Sequence, residues 1–269
     1  MCTVALLSSC TDNTPRILVF SKTAGFYHES IPTGIEAIQK LGAENGFKVD
    51  TTKDAAKFTE RQLKKYKAVV FLSTTQNVLN ADQQVAFERY IQAGGGYVGI
   101  HAAADTEYDW PWYNRLVGAY FLSHPANQQA TINVTDTTHL STKSLPAQWV
   151  RTDEWYNYKS IYAGINVLAE LDEKTYEGGA NGAHHPIAWY HEFDGGRSFY
   201  TGGGHTAESF REPLFLQHLL GGIRYAMGND VKLDYSKSYA VKTPEENRFT
   251  KTILSNDLNE PMELAVAPD

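Results

Sequence analysis

The chain has 269 residues, 42% of them hydrophobic, and a net charge of -7 at pH 7. That is enough for one large α/β core, and the acidic balance excludes a nucleic-acid surface, which needs clustered Lys and Arg. Both cysteines, Cys2 and Cys10, lie in the first ten residues, so thiol catalysis, disulfides and thiolate metal sites are excluded from the rest of the chain.

The opening MCTVALLSSC reads as the tail of an export signal. Leu7-Ser8-Ser9-Cys10 resembles a bacterial lipobox, in which the cysteine is lipidated and becomes the mature amino terminus. This implies a lipid anchor at Cys10 and a location in the cell envelope, periplasmic or on the outer membrane, with residues 1–15 as signal and tether. No basic segment precedes the motif and its apolar run is short; a start codon placed too far downstream accounts for both, and the alternative is a frayed terminus with a chance cysteine. No other segment is long and apolar enough to span a bilayer.

From Arg16 the pattern alternates strand and helix. Residues 17–20 are a continuous apolar run, as in sheets buried on both faces, and Ser30 with Pro32 opens a helix carrying Ile35, Ile38 and Leu41. Residues 47–50 predict a second strand. Thr59 with Gln62 predicts a short capped helix, 68–72 a third strand, and Asn80 with Gln83 a capped helix ending at Gly94. Residues 97–100 are the fourth strand. The whole predicts an α/β fold with a flavodoxin-like, doubly wound parallel sheet.

Residues 108–194 differ: they are aromatic-rich, short of helical periodicity, and readable as β-rich segments at 131–134, 149–158 and 167–171. They read as a β-rich aromatic insertion decorating the sheet. Asp194-Gly195-Gly196 joins runs 187–193 and 197–201 as a hairpin, and Pro213 and Gly228 bracket a last helix. Residues 229–269 form a polar C-terminal extension.

Histidines recur at matched places on this scaffold. His28 follows the first strand, His101 ends the fourth in GGGYVGIHAAADT, and His205 ends the last in YTGGGHTAES. In open α/β sheets the loops leaving the carboxyl ends of strands converge on one crevice. These three can therefore share a site as bases, acids or ligands of a divalent metal, with Asp105, Glu107, Glu154 and Glu208 available to orient them. No spacing among them is a local metal signature such as His-Glu-x-x-His.

His124 before Pro125 is less easily placed. His184-His185 belongs to a loop entering a strand, and His139, His191 and His218 read as surface or packing residues. The rings of Phe26, Tyr27, Tyr108, Trp110, Trp112, Tyr113, Trp155 and Tyr156, beside Asp109, Asn114, Asp153 and Glu154, suit either a sugar stacked on aromatic faces or a packed loop core. Asp153 and Glu154 are adjacent on a strand, where neighbours point to opposite faces, so they do not make a glycosidase carboxylate pair. Gly94 to Gly99 spells a dinucleotide-loop pattern but precedes its strand, and there is no GxSxG elbow or Walker A sequence.

GFYHESIP, GGGYVGIHAAADT, RTDEWYNY and PIAWYHEFDGGRSFYTGGGHTAESF together resemble a ThuA-like (trehalose utilisation) domain over residues 16–228, a fold of the class I glutamine amidotransferase-like superfamily. In amidotransferases of that fold a cysteine occupies the turn where His101 stands here, so glutaminase chemistry is not implied. The resemblance implies disaccharide metabolism by way of keto-sugars, hence a carbohydrate ligand. Residues 249–269 resemble the opening of a pyrroloquinoline-quinone-type sugar dehydrogenase propeller, which implies a sugar dehydrogenase partner; an ordinary tail is the alternative.

The combined expectation is a cell-envelope carbohydrate-active enzyme. His101 is its base or metal ligand, His205 and His28 are its partners, and Asp105 and Glu208 are orienting or acid groups. Tyr27, Trp110, Trp112, Asp153, Glu154, Tyr156 and His124 are the substrate contacts. The rivals are a non-catalytic sugar-binding module and a docking domain for a dehydrogenase.

Overall fold

Five short strands run parallel through the centre of the computed structural model, which describes residues 13–242. They are β1 (Arg16–Phe20), β2 (Lys48–Thr52), β3 (Ala68–Leu72), β4 (Gly96–Ile100) and β11 (Gly196–Thr201), in the spatial order β2-β1-β3-β4-β11. Every residue of β3 and β4 is buried, as continuous apolar runs covered on both faces require. Phe71 stacks on Phe87 of α3 (Ala81–Gln92), whereas its neighbour Leu72 lies against Gly34 of α1 (Ile31–Asn45) on the opposite face.

The helix boundaries follow local chemistry. α3 opens on a reciprocal capping box between Asn80 and Gln83, which satisfies donors that the first turn leaves free. α2 (Glu60–Leu63) is capped by the Thr59 side chain, and Pro213 starts α5 (Pro213–Met227). α5 rests directly on β4: a Cβ on Gly96 would lie 2.1 Å from the carbonyl oxygen of Ala226, so only glycine permits that approach.

The aromatic middle segment is part of the same sheet. β10 (Pro186–Phe193), β9 (Asn166–Asp172), β6 (Gln128–Val134) and β7 (Gln148–Asp153) extend it antiparallel from β11, giving nine strands among the described residues. The insertion is thus a continuation of the sheet's edge, and the hairpin at Asp194-Gly195 that joins β10 to β11 makes it so. Both turn residues have positive φ, 51° and 89°, the conformation that matches the twist of paired strands. A small second sheet pairs β5 (Tyr120–Ser123) with β8 (Asn157–Lys159).

The segment also holds a helix that its weak periodicity hid, α4 (Pro111–Val117). Residues up to 242 of the polar extension lie along α3, where Gln92 accepts the backbone N–H groups of Tyr239 and Ala240. Cys10 and residues 249–269 lie outside the described residues. Among the described residues no helix is long and apolar enough to cross a membrane.

Candidate active site

The parallel strands end in register, Leu72 beside Ile100 and Ile100 beside Thr201, so the loops after β3, β4 and β11 leave from one edge. β1 and β3 are neighbours whose crossovers run in opposite directions along the sheet, and the loop carrying His28 leaves this switch point, where open α/β sheets form their crevice. Ser30 Oγ donates to the carbonyl of Gly204 at 3.0 Å, tying the first loop to the last.

His101 begins a one-turn 3-10 helix, His101–Asp105, directly after β4. Its φ of 51° lies in the left-handed region, strained for a residue with a Cβ and held by its surroundings. The ring is fully buried. Nδ1 lies 2.8 Å from the Gly202 carbonyl, and the Tyr200 hydroxyl donates to the His101 carbonyl at 2.8 Å. Because a carbonyl only accepts, Nδ1 carries the proton, and Nε2 is left facing Glu154 Oε2 at 3.3 Å and His205 Nδ1 at 3.2 Å.

Glu154 is the hub. Its Oε2 is also 3.1 Å from His205 Nδ1, and its Oε1 is 3.0 Å from His124 Nδ1. Burial pushes its carboxyl up, but hydrogen bonds from His101 and His205 and their charge outweigh it and hold the group well below the usual carboxylate range. For His205, burial works against the charged form, yet the bond to Glu154 and that carboxylate's charge raise the imidazole above its ordinary value. His28 packs edge-on to both His101 and His205, with ring centres 4.8 and 5.2 Å away. Burial, then the charge of those two rings, lowers it to about 3, so it is neutral at pH 7.

Asp153, next to Glu154, is fully buried and anchors the loop rather than facing a ligand. It accepts the backbone N–H of Gly204 at 2.8 Å and of His205 at 3.1 Å, and pairs with Arg151 Nη1 at 3.0 Å. β7 stands at the far edge of the sheet, so these bonds require the antiparallel half to curl back onto the end of β11. The curl brings Glu154 to the histidines.

Above this cluster opens a cleft of about 250 Å³ lined by Phe26, His28, Asp105, Phe121, His124, Glu154, Tyr156 and His205. The Tyr108 hydroxyl donates to Asp105 at 2.5 Å, while burial raises the Asp105 carboxyl above its ordinary value. The Tyr156 ring lies 4.3 Å from that of His101, and its carbonyl meets His185 Nε2 at 2.8 Å.

The structure therefore brings together His28, Asp105, His124, Glu154, Tyr156 and His205 of the residues expected from sequence, with His101 behind them. It leaves others out. Glu208 points to solvent, its side chain 80% exposed beside Arg211, while the next two residues, Ser209 and Phe210, turn into the core. Trp110 and Trp112 are buried in and beside α4, stacked on each other and bonded through their indole N–H groups to Glu88 and Asp194; they are core. Tyr27 sits beside Lys53, while its neighbour Phe26 lines the cleft. Glu107 accepts the N–H groups of Val78 and Leu79 and serves the loop after β3. Phe121 was missed; its place on β5 opposite β8, which follows Tyr156, is a pairing of segments far apart in sequence.

The family model for ThuA, trehalose utilisation, matches residues 16–226. No curated protein matches the chain. Among solved structures, a ThuA-like protein from Bacteroides uniformis is 27% identical with a TM-score of 0.68, covering 81% of this chain and 94% of its own. A ThuA-like protein from Parabacteroides merdae is 21% identical with a TM-score of 0.69, covering 82% and 92%. A β-galactosidase from Bacillus circulans, 14% identical with a TM-score of 0.53, matches 78% of this chain with 30% of its own and shares the fold alone.

Proposed function

The chain belongs to the ThuA family of trehalose utilisation, and from that membership we propose that it is a carbohydrate-active enzyme taking one ring of a glucoside or keto-glucoside. The observation that carries the reading is one cleft in which Phe26, Phe121 and Tyr156 meet Asp105, His124, Glu154 and His205. Aromatic faces suit the apolar side of a sugar, and carboxylates and imidazoles suit its hydroxyls. At about 250 Å³ the cleft suits a single hexose ring.

Asp105 is assigned proton transfer. It lines the cleft, Tyr108 orients it, and burial raises its carboxyl, which improves a carboxylate as a base near neutral pH. His28 and His205 meet the oxygen atoms of the substrate. His101 does not line the cleft, so it positions Glu154 and His205 rather than touching the sugar.

Assays of purified wild-type and Asp105→Asn protein on trehalose, glucosides and their keto derivatives test this. The variant should lose about 100-fold or more in turnover with affinity within a few-fold. A wild-type protein that binds sugar and converts none is a sugar-binding module; one that does neither overturns the carbohydrate reading. The proposal extends to the cell envelope through a lipid on Cys10 and to a sugar dehydrogenase partner on sequence motifs alone. Fatty-acid labelling that persists in Cys10→Ser, or failure to co-purify with any dehydrogenase, removes the respective part.

A further inference from the structure

We infer that His28, His101, Glu154 and His205 form a binding site for one divalent first-row transition ion. One ligand atom from each lies within 4.8 Å of all the others. Closer in, His101 Nε2, Glu154 Oε2 and His205 Nδ1 are 3.1 to 3.3 Å apart. Ligands bound at about 2.1 Å to one ion sit roughly 3.0–3.4 Å apart, so these three already have ligand spacing, and the His28 nitrogen stands within 4.8 Å of each of them.

The protonation pattern calls for a positive centre. His101 Nδ1 is committed to the Gly202 carbonyl, the backbone contact that commonly fixes a metal-binding imidazole and presents its other nitrogen as a lone pair. That nitrogen faces a carboxylate oxygen and a second imidazole nitrogen, an arrangement that needs a positive centre, a proton or a metal ion, between them. A proton on His205 Nδ1 serves Glu154 and His101 but leaves His28 unserved. His28 is nearly fully buried and its Nδ1 has no hydrogen-bond partner among the described residues, an expensive state for a polar group. An ion serves all four.

The supports outside the cluster are those of a metal centre. His124 Nδ1 lies 3.0 Å from the other oxygen of Glu154, and Asp153 fixes the His205 backbone. Three imidazoles and one carboxylate suit zinc, manganese, iron or cobalt and disfavour calcium and magnesium, which take oxygen ligands. His28, Glu154 and His205 also line the cleft, so a bound ion faces whatever enters it. The inference stands apart from the sugar reading: the site can hold an ion whether or not the cleft binds carbohydrate.

The test is metal binding by the full chain, read without any activity. After chelation and dialysis, the protein is titrated calorimetrically with zinc and with manganese, and its thermal midpoint is measured with each. The expected result is one ion per chain, a raised midpoint, and affinity at least about 100-fold weaker in Glu154→Gln and His28→Gln. Cobalt substitution should give ligand-field absorption that both variants lose. Circular dichroism of the two variants separates lost binding from lost fold, and His205→Gln replaces either that unfolds. Folded wild-type protein that takes up no stoichiometric ion, or variants that bind as tightly as wild type, overturns the inference.

Discussion

Asp153 and Glu154, neighbours in the chain, grip His205 by different groups: Asp153 takes its backbone N–H at 3.1 Å, and Glu154 takes its ring Nδ1 at 3.1 Å. One carboxylate places the residue and the other sets its charge. The division arises because Asp153 ends β7 in the core while Glu154 begins the loop that reaches the cleft.

Asp153→Ala should therefore act on stability as well as on the site. It leaves the buried Arg151 guanidinium without one of its carboxylates and the Gly204 and His205 N–H groups without acceptors. Breaking such a pair costs about 3–5 kcal/mol, read as a lower urea midpoint. Unchanged stability would show that Glu212, the other partner of Arg151 at 2.8 Å, suffices.

Gly204→Ala tests the same loop through its backbone. Gly204 has φ of 110°, and an added Cβ would lie 3.1 Å from Ile100 and 3.2 Å from Phe210. The strain should cost about 1–3 kcal/mol and displace His205, so sugar affinity and stability fall together. A variant with wild-type values in both would deny the loop its positioning role.

Phe26 and Trp112 should part company. Phe26 is 66% exposed on the rim of the cleft, so Phe26→Ala should weaken sugar binding about tenfold, roughly 1.4 kcal/mol, and change stability by less than about 0.5 kcal/mol. Trp112 is buried against Trp110, Phe87 and Phe193, and Trp112→Ala should cost about 3–5 kcal/mol of folding stability. Equal unfolding midpoints for the two variants would contradict this partition.

Acid should destabilise the fold through His218, well away from the cleft. Burial lowers this imidazole to about 4 despite a bond to the Ser141 carbonyl, and the charges of Arg151 and His139 lower it further. The unfolded chain binds a proton below its ordinary value near 6.5 and the folded one does not. The contribution is thus complete above pH 6.5 and is lost as pH falls toward 4, about 3 kcal/mol. His218→Phe, among the rings of Trp149, Phe199 and Phe215, should reduce the slope of stability across that window and leave the share that His28 contributes; an unchanged slope would assign the acid sensitivity elsewhere.

Local pattern was enough to read the parallel half of the fold. Continuous apolar runs at β1, β3 and β4, the Asn80 and Gln83 box and the Asp194-Gly195 turn act over a few residues, so each is visible in a short window of sequence. α4 was hidden because its aromatic residues face several neighbours at once and blur the period of 3.6. Turn position also placed His28, His101 and His205 at one edge, since strand direction alone sends those loops to the same side.

What the sequence by itself determined is the element order of the parallel half, the family and the edge at which the histidines gather. Only the tertiary structure decided which carboxylate joins them. Glu208 is three residues from His205 and faces solvent, whereas Glu154 arrives from the far strand of the curled sheet and contacts both His101 and His205. The physical reason is that side-chain direction at a loop is set by what packs around it. Those packing partners come from across the sheet, at separations no local pattern records.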